Sequence, residues 1–300
     1  MDMTHNKCCR HGANLRRRRR RRRKILRSII FSCSIIAVAV FVAVGSRMIR
    51  SGDGRTNKYD VEAGNNTYDN AVIENSKISE KNKIQNNQSM LDDIMNSTQY
   101  PKQLKDLALK NEEALEFVYD YPAEHVKEHT IDLTEEASMD SVPLFVQWDK
   151  RWGYEKYSGN FFAASGCGPT TLSMVVVYLT HDREASPIAV AKYSKEAGYS
   201  VDGSGSSWTL ISEGCMHYGV KAKTVALDES RMKAELDEGH PIVVNVGPGD
   251  FTDTGHFMVI TGYDDEGFSI NDPNSIEKSG KRWLFKNISS QIRAVWSMYV

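Results

Sequence analysis

The sequence predicts an α+β fold for its C-terminal part, in which a buried helix precedes an antiparallel sheet. Aromatic, glycine and β-branched residues become dense from about Val142, and about 160 residues is enough for one domain with a real core. An apolar helical run follows Cys167, and strand-like runs follow it rather than alternate with it, which is typical of α+β proteins. These runs are PIVVNV (241–246), HFMVITGY (256–263), FSIND (268–272) and AVWSMYV (294–300).

The first 50 residues differ sharply from the rest in charge. They hold 14 of the 38 basic residues and one acid, so residues 51–300 carry a net charge of −14. Residues 1–27 are predicted to be a basic cytoplasmic tail with eight consecutive arginines. Residues 28–46 contain no charged residue and are long enough to cross a bilayer as one helix. The basic flank predicts a single-pass membrane anchor whose C-terminal body lies outside the cytoplasm.

Other interpretations of this head are weaker. Small residues near its end fit a cleavable signal peptide, but the apolar run is long and has no clean A-x-A site. The arginine run is typical of nucleic-acid binding or nuclear import, but beside a membrane span it is better explained as a topology signal that also contacts anionic lipid. No nucleic-acid partner is therefore expected.

The exported body divides by composition into three parts. Residues 47–88 are polar and rich in Asn, Ser, Lys and Gly, which predicts a flexible stalk. Residues 89–137 are predicted to be a short helical segment, with two or three helices over 89–121. Their position before the domain raises the hypothesis of a pro-segment that blocks a cleft. Residues 138–300 form the predicted main domain.

Cys167 is the strongest candidate for a reactive residue. It stands between Gly166 and Gly168, and Pro169 marks the first turn of the helix that follows. A helix N-terminus favours a thiolate, which is the nucleophilic form of cysteine. The two glycines suggest that a substrate has room to approach the sulfur. Cys215 is the other exported cysteine, which leaves one disulfide with Cys167 as an alternative.

His256 and Asp272 are the candidate base and its orienting group. They are 16 residues apart on two adjacent predicted strands, so they share a face if the hairpin loop has an odd length. Residues 262–266 are the five-residue loop that makes them direct neighbours. A four-residue loop over 264–267 places them on opposite faces.

Two kinds of donor are available for a developing oxyanion. One is the backbone N–H of Cys167, and the other is Gln147, a glutamine among apolar and aromatic residues. The segments GYSVDGSGSSW (198–208) and GPGDFTDTGH (247–256) are predicted to shape the cleft.

Together these residues resemble the C39-type, papain-like cysteine peptidases over about residues 141–300. The resemblance rests on VPLFVQWDKRWG, SGCGPTTLSMV, GDFTDTGHFMVITGYDDEGFSINDPNS and the final tryptophan. It implies that Cys167 is the nucleophile, His256 the base, Asp272 the orienting residue and Gln147 the oxyanion glutamine. Papain-like relatives use asparagine as the third member, so Asn271 is an alternative to Asp272. No ATP-binding P-loop motif accompanies the domain, so the stand-alone, exported bacterial members are the expected subgroup.

The sequence therefore predicts a membrane-anchored extracytoplasmic cysteine peptidase that acts on peptides or proteins and needs no metal or organic cofactor. Two alternatives stay open. One is a surface module that binds peptides without cutting them. The other is a thiol amidase or acyl-transfer enzyme that acts on cell-wall peptides.

Overall fold

A computed structural model describes the backbone of residues 66–300 and the side chains from residue 80. The predicted basic tail (1–27), the anchor (28–46) and the first part of the stalk lie outside the described residues. Within residues 66–300, no helix is both long enough and apolar enough to cross a bilayer.

The described chain is an α+β structure, as predicted. Its α-helices are α1 Asn66–Asn96, α2 Lys102–Lys110, α3 Leu115–Tyr119, α4 Tyr121–Glu124, α5 Thr134–Ser138, α6 Phe162–Ser165, α7 Cys167–Thr180, α8 Pro187–Glu196, α9 Thr209–Ser212, α10 Glu229–Asp237, α11 Ile276–Ser279 and α12 Phe285–Ile288. Three 3₁₀ turns span Glu112–Ala114, Gly214–Tyr218 and Ser289–Gln291. The strands are β1 Lys156–Tyr157, β2 Asn160–Phe161, β3 Ser200–Val201, β4 Gly205–Ser206, β5 Lys221–Thr224, β6 Ile242–Val246, β7 His256–Asp264, β8 Gly267–Asn271, β9 Arg282–Trp283 and β10 Ile292–Tyr299.

Helix α1 corrects the prediction of a flexible stalk over its described part, residues 66–88. The polar composition suggested disorder, but the chain contains neither glycine nor proline between Gly64 and Pro101, so nothing in it breaks a helix. Polar pairs four residues apart, such as Gln88 with Asp92 at 2.8 Å, support the exposed helix.

The segment that precedes the main domain packs against it. Residues of α1 to α3 form an apolar cluster with Phe161 and Ala163, which lie just before Cys167. Its buried members from the preceding segment are Ile94, Leu104, Leu107, Ala108, Ala114, Leu115, Phe117 and Val118. Tyr154 adds a stacked ring contact to Phe117 and donates a hydrogen bond to the Phe117 carbonyl at 2.7 Å. The short helices are thus part of the described core.

A six-stranded antiparallel sheet organises the main domain, in the order β5-β10-β6-β7-β8-β9. Helix α7 is buried along Gly168–Val177 and packs with Val243, Phe257 and Val259 of the sheet in one apolar layer. The alternate residues of the same strands, including Val244 and Met258, form a second layer with α10.

The β7–β8 hairpin corrects the predicted five-residue loop. Asp264 pairs with Gly267, so only Asp265 and Glu266 form the turn. An even turn of this kind would place His256 and Asp272 on opposite faces. A one-residue bulge at Thr261 shifts the register, so that Ile260 pairs with Ile270 and the two side chains share a face.

Candidate active site

Cys167 is the first residue of α7, as the position of Pro169 predicted. Its flanking glycines have a different role from the one expected. A Cβ on Gly166 would lie 2.6 Å from the Phe162 ring, and a Cβ on Gly168 would lie 2.5 Å from Ser206 Oγ. Both glycines are buried, whereas Cys167 is half-buried. The glycines therefore allow close packing around the helix start, and they do not open space for a substrate.

His256 lies at the start of β7 and contacts Asp272 through one ring nitrogen. The distance from Nε2 to Asp272 Oδ1 is 2.7 Å, and both side chains are almost fully buried. Because Asp272 occupies Nε2, Nδ1 is the ring nitrogen left to interact with the Cys167 thiol, which lies near enough for each group to shift the pKa of the other. The three side chains form a line from thiol to imidazole to carboxylate.

The electrostatics of these three side chains favour a thiolate at Cys167 and an imidazolium at His256. Burial alone would raise the pKa of the Cys167 thiol. The hydrogen bond and charge of His256, with hydrogen bonds from the backbone of Phe257 and Gly168, outweigh burial and lower this pKa below its ordinary value. Burial alone would lower the pKa of His256, but the charge and hydrogen bond of Asp272 raise it well above its ordinary value.

The geometry distinguishes Asp272 from its neighbour Asn271. The Asn271 side chain donates hydrogen bonds to the carbonyl oxygens of Val142 and Pro143, at 3.1 and 3.0 Å. It thereby ties β8 to the start of the domain. Asp272 is the residue that contacts His256, and its Oδ1 also accepts the Asn274 N–H at 2.8 Å.

Gln147 lies between the two halves of the site. Its backbone N–H donates to the Pro273 carbonyl at 2.7 Å, and its side-chain Nε2 donates to the Ala163 carbonyl at 2.7 Å. Gln147 is buried and does not line the cleft at Cys167. Its predicted part in binding an oxyanion stays a prediction.

The N–H of Cys167, at the start of a helix, has no carbonyl partner within α7.

A cleft of about 830 Å³ opens onto Cys167. Both predicted wall segments contribute to it, with Gly203–Ser206 and Trp208 from the first and Gly247, Pro248, Thr254 and Gly255 from the second. Tyr157 fixes the first wall through a 2.7 Å hydrogen bond with Ser206 Oγ. Arg293 is the one charged residue in the described lining.

Two further residues near the site were missed by sequence analysis. Asn245 lines the cleft, and its side chain donates to the His256 carbonyl at 3.3 Å. An asparagine within the otherwise apolar PIVVNV strand was the available signal. Thr171, one turn into α7, donates to the Phe257 carbonyl at 3.1 Å and so joins the cysteine helix to the histidine strand. A threonine in a buried helix gives no such indication in the sequence.

Cys215 is unlike Cys167. It is buried within a 3₁₀ turn and forms no disulfide, and burial raises its pKa to about 11. The alternative of a Cys167–Cys215 disulfide is therefore wrong for this structure.

Comparison with known proteins places the main domain in a family. Residues 139–300, more than half of the chain, match the model of the Peptidase_C39 like family. The solved peptidase domain of Streptococcus ComA, described as a bifunctional ABC transporter involved in a quorum-sensing pathway, is 19% identical. It covers 53% of this chain and 96% of its own length, with a TM-score of 0.38. A putative C39-like peptidase from Bacillus anthracis is 16% identical and covers 53% of this chain and 95% of its own, with a TM-score of 0.34. No curated protein matched the sequence.

The lowered pKa of Cys167 yields a first prediction. Iodoacetamide should alkylate Cys167 at pH values well below the ordinary thiol pKa of about 8.5, while Cys215 stays unlabelled. In His256→Ala, only the backbone hydrogen bonds of Phe257 and Gly168 still oppose the effect of burial on the thiol pKa, so the onset of labelling should move to higher pH. Mass spectrometry of the labelled peptides from about pH 4 to about pH 9 measures both effects. The matched control is His240→Ala, because His240 is a histidine that contacts Glu235 rather than Cys167. Labelling of Cys167 with a free-thiol profile would contradict the charged pair.

A second prediction separates Asp272 from Asn271. Asp272→Asn keeps the shape of the side chain but removes its charge, so the pKa of His256 should fall and that of Cys167 should rise. Asn271→Ala should instead cost about 1–2 kcal/mol of unfolding free energy, through two lost hydrogen bonds, and leave the labelling profile unchanged. Alkylation profiles and urea unfolding of both variants measure the two effects. The reverse pattern would make Asn271 the orienting residue.

Proposed function

The chain belongs to the Peptidase_C39 like family. We propose that it is a cysteine peptidase, and from the apolar run at residues 28–46 that it is membrane-anchored and extracytoplasmic. The family suggests cysteine peptidase activity. The observation that carries the finer proposal is the position of His256, which is hydrogen-bonded to Asp272 through Nε2 at 2.7 Å and interacts electrostatically with the Cys167 thiol.

The proposed reaction begins with the charged pair. The Cys167 thiolate attacks the carbonyl carbon of a peptide bond, a C–S bond forms, and the π electrons of the carbonyl move to its oxygen. The N–H of Cys167 donates to that oxygen, and Gln147 is the proposed second donor. The tetrahedral intermediate collapses as His256 Nδ1 gives its proton to the leaving nitrogen, and the C–N bond breaks.

A thioester between the substrate acyl group and Cys167 is left. A water molecule then attacks the thioester carbon while His256 Nδ1 accepts a proton from it, and the C–S bond breaks to return the thiolate. Asp272 holds the imidazole in one orientation throughout and stabilises its positive charge.

The cleft supports a peptide-sized substrate. It is open, and small residues form most of its walls, as in the Gly203–Ser206 segment. An extended backbone can therefore come close to the sulfur.

The third prediction tests hydrolysis directly. The full chain should cleave members of a proteome-derived peptide library, and Cys167→Ala should lower the rate by at least about a thousandfold, because the nucleophile is lost. Product peptides are identified by mass spectrometry, and Cys215→Ala serves as the matched cysteine control.

Two other outcomes would contradict the proposal in different ways. Binding of library peptides without cleavage would favour the peptide-binding module. Release of amines or acyl transfer only from cell-wall muropeptides would favour the thiol amidase or acyl-transfer enzyme.

The proposed location rests on residues 28–46 and the arginine run before them. The fourth prediction is that the full chain, expressed in a bacterial host, stays in the membrane fraction after alkaline carbonate washing. Protease added to spheroplasts should degrade the C-terminal domain, and deletion of residues 28–46 should retain the chain in the cytoplasm. A soluble exported product that begins after residue 46 would instead indicate a cleaved signal peptide.

A further inference from the structure

The loop that follows Asp272 is organised by its own hydrogen bonds. The Asp272 N–H donates to Ser279 Oγ at 2.9 Å, and the Ser275 N–H donates to the Asp272 carbonyl at 3.2 Å. Ser275 Oγ in turn accepts the Lys278 N–H at 3.0 Å, at the start of α11. Ser275 and Ser279 thus fix the backbone on which the Asp272 carboxylate is carried.

This loop is also held from outside the family domain. Glu113, in the 3₁₀ turn before α3, accepts the N–H groups of Ile276 and Glu277 on Oε2 at 2.7 and 3.0 Å. Its Oε1 accepts the hydroxyl of Ser275. Glu113 lies more than 160 residues away in sequence and precedes the family match, which begins at residue 139.

A second contact reinforces the first. Asn111 Nδ2 donates to the carbonyl and the side-chain oxygen of Asn274, at 2.9 and 3.0 Å. Asn111 Oδ1 accepts the N–H of Glu113 at 3.0 Å, so the two residues form one unit. Ala114 and Leu115, directly after Glu113, are buried in the apolar cluster with Phe161 and Ala163. The glutamate is therefore presented from a packed element rather than from a free loop.

We propose that Glu113 is a positioning residue for the active site, which fixes the Ser275–Ser279 turn and through it the carboxylate of Asp272 against His256. This inference rests on the proposed function. It makes the helical segment before the domain a working part of the enzyme, in contrast to a pro-segment that blocks the cleft. Gln103 is the one residue from that segment in the described lining of the cleft, and the cleft remains open at Cys167.

Removing Glu113 would leave three donors of the turn without their acceptor. Two are backbone N–H groups that no other group in α11 can satisfy, since they belong to its first turn. The turn would then relax toward water, and Asp272, which is bonded to Ser275 and Ser279, would move with it. The 2.7 Å hydrogen bond between Asp272 and the His256 imidazole would then weaken, because hydrogen bonds weaken steeply as their distance and angle depart from the preferred values.

The fifth prediction uses the full chain and iodoacetamide. In Glu113→Ala the onset of Cys167 labelling should move to higher pH by about one pKa unit, so that the rate at pH values below the onset falls about tenfold. Glu113→Gln, which keeps one acceptor oxygen, should lie between this variant and wild type. Glu112→Ala is the matched control, because the described hydrogen bond of this neighbouring glutamate's side chain is to Asn87 of α1 and not to the Ser275–Ser279 turn. Its profile should match wild type.

A purely stabilising role for Glu113 would lower the melting temperature and leave the pH profile of labelling unchanged, and that result overturns the proposal. If Glu113→Ala fails to fold, the profile of Glu113→Gln decides in the same way. A wild-type Cys167 that is not labelled at low pH contradicts the proposed function itself. In that case the contact itself is tested by hydrogen exchange of the Ile276 and Glu277 amides in wild type and in Glu113→Gln. Equal exchange rates in the two proteins would show that Glu113 does not fix the turn.

Discussion

The buried hydrogen bond between His256 and Asp272 is the interaction on which the rest of the site depends. Burial opposes charge on both Cys167 and His256, so a charged pair depends on neighbouring groups that outweigh burial. A carboxylate 2.7 Å from the ring reverses this balance. The helix start, the strand register and the loop after β8 together bring these three groups into contact.

The elements around this contact come from distant parts of the chain and are joined by polar ties. Thr171 joins the cysteine helix to the histidine strand, and Gln147 joins the loop after Asp272 to the residues before Cys167. Asn111 and Glu113 join the same loop to the preceding helices. Apolar packing holds the helices against the sheet, and hydrogen bonds to backbone groups fix the loops that carry the site residues.

The sequence pattern predicted those elements that depend on neighbouring residues in the chain. The start of α7 followed from Pro169, and the four main strands followed from runs of β-branched residues. The bulge at Thr261 was not predictable, since no residue type there requires it. Helix α1 was missed because polar composition was given more weight than the absence of helix breakers. The Glu113 contact crosses more than 160 residues, and a single sequence contains no sign of such a pairing.

The bulge at Thr261 also limits how this hairpin can change length during evolution. Because side chains alternate between two faces, inserting or deleting one residue between His256 and Asp272 would turn one of them away from the other. Changes in pairs, or a single change compensated by loss of the bulge, would preserve the match. Homologues that keep the bulge should therefore differ in hairpin length by even numbers of residues. Homologues whose hairpins differ by an odd number should also differ in whether the bulge is present.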